Sequence, residues 1–156
     1  FLDTHVEIFI EKSKTDIYRD GHWLFLAKIY SDLCPCKLLT LYFKRANIDE
    51  DSNEFVFRAT NYFRTMKKHK LRRVNKPISY STTRENVLDL IEKIGLDRRK
   101  FGLHSLRSGG ATAAANNGIP DRLFQRHGRW KTERVKDGYV KDKLSELLSV
   151  SVGLGL

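Results

Sequence analysis

The sequence predicts an α+β fold, mostly α-helical, with a small antiparallel sheet near the N-terminus. Three observations carry this. "VEIFI" at 6–10 alternates like a half-buried strand, and the apolar run "HWLFLAKIY" at 22–30 follows a "DG" at 20–21. Val87, Leu88, Ile91 and Ile94 make a helical stripe that stops at Gly95. Beyond it, Gly118, Pro120 and Gly128 punctuate further segments of helical character. With 156 residues and 40% hydrophobic content, the chain reads as a single domain with a proper core.

In chain order, the first two runs form a hairpin joined by "EKSKTDIYRDG", a connection long and basic for a plain turn. "CPCKLLTLYFKRANI" follows. Pro35 suits a first helical turn, and Leu38, Leu39, Tyr42 and Phe43 recur at helical spacing. "NEFVFRA" (53–59) resembles a short strand. Thr82 and Glu85 match a capping box ahead of the apolar stripe. "SGGATAAANN" is read as a helix whose small residues permit close packing, and "IPDRLFQRHG" as a short helix between Pro120 and Gly128. "KDKLSELLSV" is a last helix with an apolar edge.

Lys+Arg 29 against Asp+Glu 19 gives a formal charge of +10, which favours a polyanion, nucleic acid first. Arg64 to Arg73 alone holds six Lys or Arg and no acid. That run reads as a solvated face, a phosphate-contacting surface or a nuclear import signal. Cys34 and Cys36 have only a proline between them and cannot easily bond to each other. With no His cluster to complete a zinc site, they read as small apolar residues at a helix start, in a reducing compartment. No apolar run approaches a membrane span, and no signal peptide opens the chain, which starts abruptly without a Met.

"FGLHSLRSGG" places His104 and Arg107 three apart, on one face if the segment is helical. An Arg offers a rigid fork of donors for phosphate oxygens, and a His holds or shuttles a proton near neutral pH. Trp130 comes 23 residues after Arg107, and Tyr139 nine after Trp130. Taken together, these spacings resemble the C-terminal half of the tyrosine recombinase (phage-integrase-like) catalytic domain. That family carries a His-x-x-Arg box, then a His or Trp, then a nucleophilic Tyr at nine residues. It also carries a catalytic Lys in an upstream β-hairpin loop, which Lys14 of "SKTD" matches, 90 residues before His104.

The resemblance implies a DNA strand transferase working through a covalent 3′-phosphotyrosine intermediate, with no metal or other cofactor and no small-molecule substrate. Tyr139 would attack the scissile phosphate, and Arg107 would bind its non-bridging oxygens. His104 would assist proton transfer. Trp130 would offer its indole N–H to the phosphate while its ring buttresses the tyrosine helix. Lys14, with Lys12 as competitor, would protonate the 5′-oxygen leaving group. Lys12, Arg19, Lys67, Lys68, Lys70, Arg72, Arg73, His127, Arg129 and Lys131 are the expected phosphate contacts. The partners implied are double-stranded DNA and further copies of the chain assembled on it, with no membrane. The location implied is the nucleus of a eukaryote or otherwise the cytoplasm.

Three departures stand beside the likeness. The family has another Arg, closely followed by an acid, on a helix before the hairpin, and no Arg precedes Lys14. The chain is therefore read as N-terminally truncated. Ser108 stands where many members have a second His or another polar residue, and the N-terminal DNA-clamping domain is absent. Other readings stay open: a DNA-binding module that no longer cleaves, a type IB topoisomerase-like enzyme, and a basic RNA-binding protein. So do plainer ones: Trp130 and Tyr139 as core aromatics, Lys14 as a solvated lysine, and His127 as structural.

Overall fold

The computed structural model describes residues 1–13 and 16–154, and its contacts divide the chain into two compact units, Phe1–Ser79 and Tyr80–Leu156. The elements are mixed α and β, as the sequence predicts.

In the first unit, β1 (His5–Ile10) pairs antiparallel with β2 (His22–Ala27) in the register Val6↔Leu26 and Ile8↔Leu24. The period of two sends Val6, Ile8 and Leu26 inward and leaves Phe9, Trp23 and Phe25 on the exposed face. Gly21 ends the connection at φ +71°, where a Cβ would lie 2.3 Å from the Phe9 ring; only glycine satisfies both the backbone and the packing. α1 (Pro35–Ala46) follows, with Pro35 in the first turn. Cys34 and Cys36 are free thiols buried against Val6, and Cys36 Sγ donates to the Leu26 carbonyl at 3.0 Å. They are small core residues at a helix start, as expected. Asn47, left-handed at φ 52°, closes α1.

The strand expected at 53–59 does not form. Within it only Arg58 makes a bridge, opposite Pro77, which has no N–H with which to extend a ladder. The strand begins instead at Thr60: β3 (Thr60–Phe63) pairs with β4 (Lys68–Leu71), a second two-stranded sheet. A 3₁₀ turn at Arg64–Met66 connects them, so the basic run 64–73 is the turn and return strand of a hairpin with the two arginines that follow it.

The second unit opens with α2 (Tyr80–Lys93), two residues before the expected cap at Thr82. Thr82 therefore lies within the first turn. Glu85 serves instead, with Asp89 and Glu92, as one side of a charged clamp on Arg98, at 2.6, 3.0 and 3.3 Å respectively. These acids recur at helical spacing, so one guanidinium ties the helix to the 3₁₀ turn Arg98–Lys100. Gly95 ends the segment at φ +85°. α3 (Leu103–Asn116) begins five residues earlier than "SGGATAAANN" and takes in the His-x-x-Arg box. Its glycines do not serve close packing, since nothing lies within 4 Å of a Cβ placed at Gly109 or Gly110; Ala111 is the residue that is buried. α4 (Asp121–Gly128), the five-residue α5 (Glu133–Asp137) and α6 (Leu144–Gly153) complete the unit. The described residues include no helix long and apolar enough to cross a membrane.

Candidate active site

α3 presents its functional face because of how it starts. The Gly102 N–H donates to Ser105 Oγ at 3.1 Å, which fixes the first turn and places His104 in it. Arg107, Ser108 and Thr112 follow at helical spacing on the same side. α4 ends where Arg129 adopts a left-handed conformation, φ 55°. The chain then doubles back: the Trp130 N–H donates to the Gln125 carbonyl at 3.1 Å, and Gln125 Nε2 donates to the Trp130 carbonyl at 3.3 Å. The indole folds over the end of the helix, where a Cβ on Gly128 would stand 1.9 Å from it. Gly128 therefore does more than end a helix, because it makes room for Trp130.

The Thr132 side chain accepts from the Val135 N–H at 3.3 Å and caps α5. The turn after α5 carries Tyr139. A helix had been expected here, but α5 ends at Asp137, and the Tyr139 N–H closes the turn on the Lys136 carbonyl at 2.9 Å. Two residues outside the expected set hold that turn against α3. Ser108 Oγ donates to the Tyr139 carbonyl at 2.6 Å, and Thr112 Oγ1 donates to the same atom at 3.4 Å. Thr112 Oγ1 also accepts from the Lys141 N–H at 3.0 Å. Their legible signal is the spacing, since Ser108 and Thr112 continue the face begun by His104.

Lys136 is the other unforeseen residue. It is 2% exposed, and its Nζ pairs with the Asp121 carboxylate and, at 3.0 Å, with Asp137. It also lies 4.9 Å from the centre of the Phe124 ring. The hydrogen bond to Asp121 raises its pKa above the ordinary lysine value, against the desolvation that would lower it. The lysine thereby ties the start of α4 to the end of α5, and its own carbonyl closes the turn that carries Tyr139.

Four of the five residues matched to the motif come together. Tyr139 Oη lies 3.3 Å from His104 Nδ1, and their rings stack at 6.1 Å between centres. The Arg107 guanidinium sits 4.4 Å from the centre of the Trp130 ring and 5.4 Å from that of Tyr139. Trp130 and Tyr139 are 5.5 Å apart. Both are half-buried rather than sealed in a core. Arg107 Nη2 donates to the Gly128 carbonyl, and the Trp130 indole N–H is buried without a hydrogen-bond partner among the described residues.

The fifth, Lys14, lies outside the described residues. Its competitor Lys12 is exposed in the first unit, as are Arg19, Lys67, Lys68, Lys70, Arg72 and Arg73. In the second unit His127 and Lys131 are exposed, while Arg129 is half-buried. Compared with family models, with curated proteins and with solved structures, the chain finds no match.

Proposed function

We propose that this chain is the catalytic domain of a tyrosine recombinase or integrase-like protein, breaking and rejoining DNA through a 3′-phosphotyrosine. One observation carries the reading. His104, Arg107, Trp130 and Tyr139 are spread over 36 positions of sequence, yet they meet within contact distance in one unit. Core aromatics need no histidine at the hydroxyl and no guanidinium against both rings.

The chemistry follows from those positions. Tyr139 Oη forms a bond to phosphorus as the P–O5′ bond breaks, and its proton passes to His104 Nδ1 if that nitrogen is the free one. By the resemblance, and not from those positions, O5′ would take its proton from Lys14 or its competitor Lys12. The phosphodiester is exchanged rather than hydrolysed, so religation is the same step reversed, with no external energy source. Arg107 must exchange the Gly128 carbonyl for a phosphate oxygen, which puts a charge-assisted contact where negative charge builds up.

A second reading, a module that binds DNA without cutting it, draws on that same bond. Arg107 is engaged by the protein itself, and the Trp130 N–H faces inward. A nicked suicide duplex, which traps the cleaved strand, separates the two. The enzyme, tested as the full-length protein, gives a covalent adduct that Tyr139→Phe abolishes. Salt-sensitive binding with no adduct leaves only the module.

A further inference from the structure

In the first unit, a cleft of about 570 Å³ has walls contributed by α1 and the β3–β4 hairpin. Arg45, Arg58, Lys70, Arg72 and Arg73 line it, against one carboxylate, Glu54. Arg58 anchors the wall: its side chain is 6% exposed, and Nη1 and Nη2 donate to the two Glu54 oxygens at 2.9 and 3.2 Å. Its Nε–H is buried and has no partner among the described residues. Arg72 is steadied by Nε donating to Asn61 Oδ1 at 3.1 Å. Among the described residues the Arg45 and Arg73 side chains make no hydrogen bond or ion pair, and the Lys70 ammonium lies 5.7 Å from the centre of the Phe63 ring.

Glu54 balances Arg58 and leaves the other four cations unmatched. Like charges gathered on a concave wall repel one another and focus a positive potential into the space between them. A single carboxylate would offset little of this, whereas a group with several negative oxygens would offset most of it. The planar forks of Arg suit phosphate oxygens in particular. We propose that this cleft binds phosphate groups, its source being consecutive phosphodiesters of a DNA backbone rather than free oligophosphate. Only the choice of DNA as the source rests on the function proposed above; the phosphate site stands on the cleft.

The test uses the full chain, ¹⁵N-labelled, at low salt, with the arginine Nε–H signals as readout. Arg58 is assigned by the signal lost in Arg58→Lys, or by contacts to Glu54 if that variant does not fold. Inorganic pyrophosphate and a 20-base-pair duplex are titrated separately. Both are expected to shift the Arg58 signal saturably. The exposed double variant Arg72→Gln/Arg73→Gln is expected to weaken pyrophosphate binding roughly tenfold. It should also reduce the salt slope for the duplex by about 2. A shift with pyrophosphate but none with the duplex overturns DNA as the source. No shift with either overturns the site. Failure of the full-length protein to form a covalent adduct on the suicide duplex would sink recombination while leaving these titrations as they stand.

Discussion

The Tyr139 hydroxyl lies 3.3 Å from His104 Nδ1, a pair 35 residues apart in sequence. Under the proposed function, the imidazole at that distance takes the phenol proton as the oxygen attacks. His104→Ala should slow adduct formation on a suicide duplex by about 10²–10⁴-fold, the usual worth of a positioned base. Duplex affinity should stay within a factor of two or so, because phosphate contacts dominate it. An equal loss in binding and in rate would make His104 a binding residue and not a base.

Glycines of the second unit should respond to alanine with opposite signs. At Gly128 a Cβ would stand 1.9 Å from the Trp130 ring, so Gly128→Ala must push the indole out. Overpacking of this kind costs about 1–3 kcal/mol. The displacement should show as a red shift of Trp130 fluorescence, read in a Trp23→Phe background. At Gly109 and Gly110 a Cβ meets nothing within 4 Å, and both lie inside α3. Alanine there should stabilise by about 0.5–1 kcal/mol each, measured by thermal unfolding.

Lys136 joins two elements because its buried ammonium lies over the Phe124 ring and also reaches two exposed carboxylates. Lys136→Met keeps the stem and discards the charge, so it isolates what the ammonium contributes through the two carboxylates and the Phe124 ring. It should lower the melting temperature by several degrees or so and loosen the turn bearing Tyr139. Hydrogen exchange at the Tyr139 amide, which bonds to the Lys136 carbonyl, should speed up more than exchange within α2.

Those residues mark what the sequence conveys and what it hides. The hairpin β1–β2 was legible because Val6, Ile8 and Leu26 alternate with exposed residues, and α1 because Pro35 starts it. The motif spacing pointed to four side chains that do meet. The hairpin β3–β4 was not legible, because "TNYF" and "KHKL" are exposed almost throughout and carry no apolar alternation. Nor was the ion pairing of Lys136 with Asp121, since a contact across 15 positions leaves no periodic trace. Ser108 and Thr112 act through hydroxyls on a backbone carbonyl, a role that residue type alone does not announce.

α6 leaves Leu144, Leu147, Leu148, Val150 and Val152 each more than half exposed. Under the proposed function, this exposed apolar helix would associate with a second copy of the chain on DNA. Leu147→Glu/Leu148→Glu should reduce assembly on a duplex carrying two sites, seen as a fall from dimer to monomer mass in sedimentation. Binding of one copy to a single-site duplex should be unchanged. Unaltered assembly would remove α6 from the interface.

Tyr42 predicts how the first unit responds to alkali. Its hydroxyl donates to the Val56 carbonyl at 2.8 Å, and its ring lies 5.4 Å from Phe57. Desolvation raises its pKa above the ordinary tyrosine value, and the nearby Arg58 charge pulls only partly the other way. In the unfolded chain the phenol ionises near pH 10, while the folded protein resists. The stabilisation is thus complete below about pH 10 and is lost as pH rises from there through the raised folded value. Tyr42→Phe keeps the ring and removes the proton, at a cost of about 1 kcal/mol at neutral pH for the lost hydrogen bond. Denaturant midpoints taken across that range should therefore fall more steeply in the wild type than in the variant. Parallel curves would show that Tyr42 ionises alike in both states, and that its hydroxyl is not held out of water by the fold.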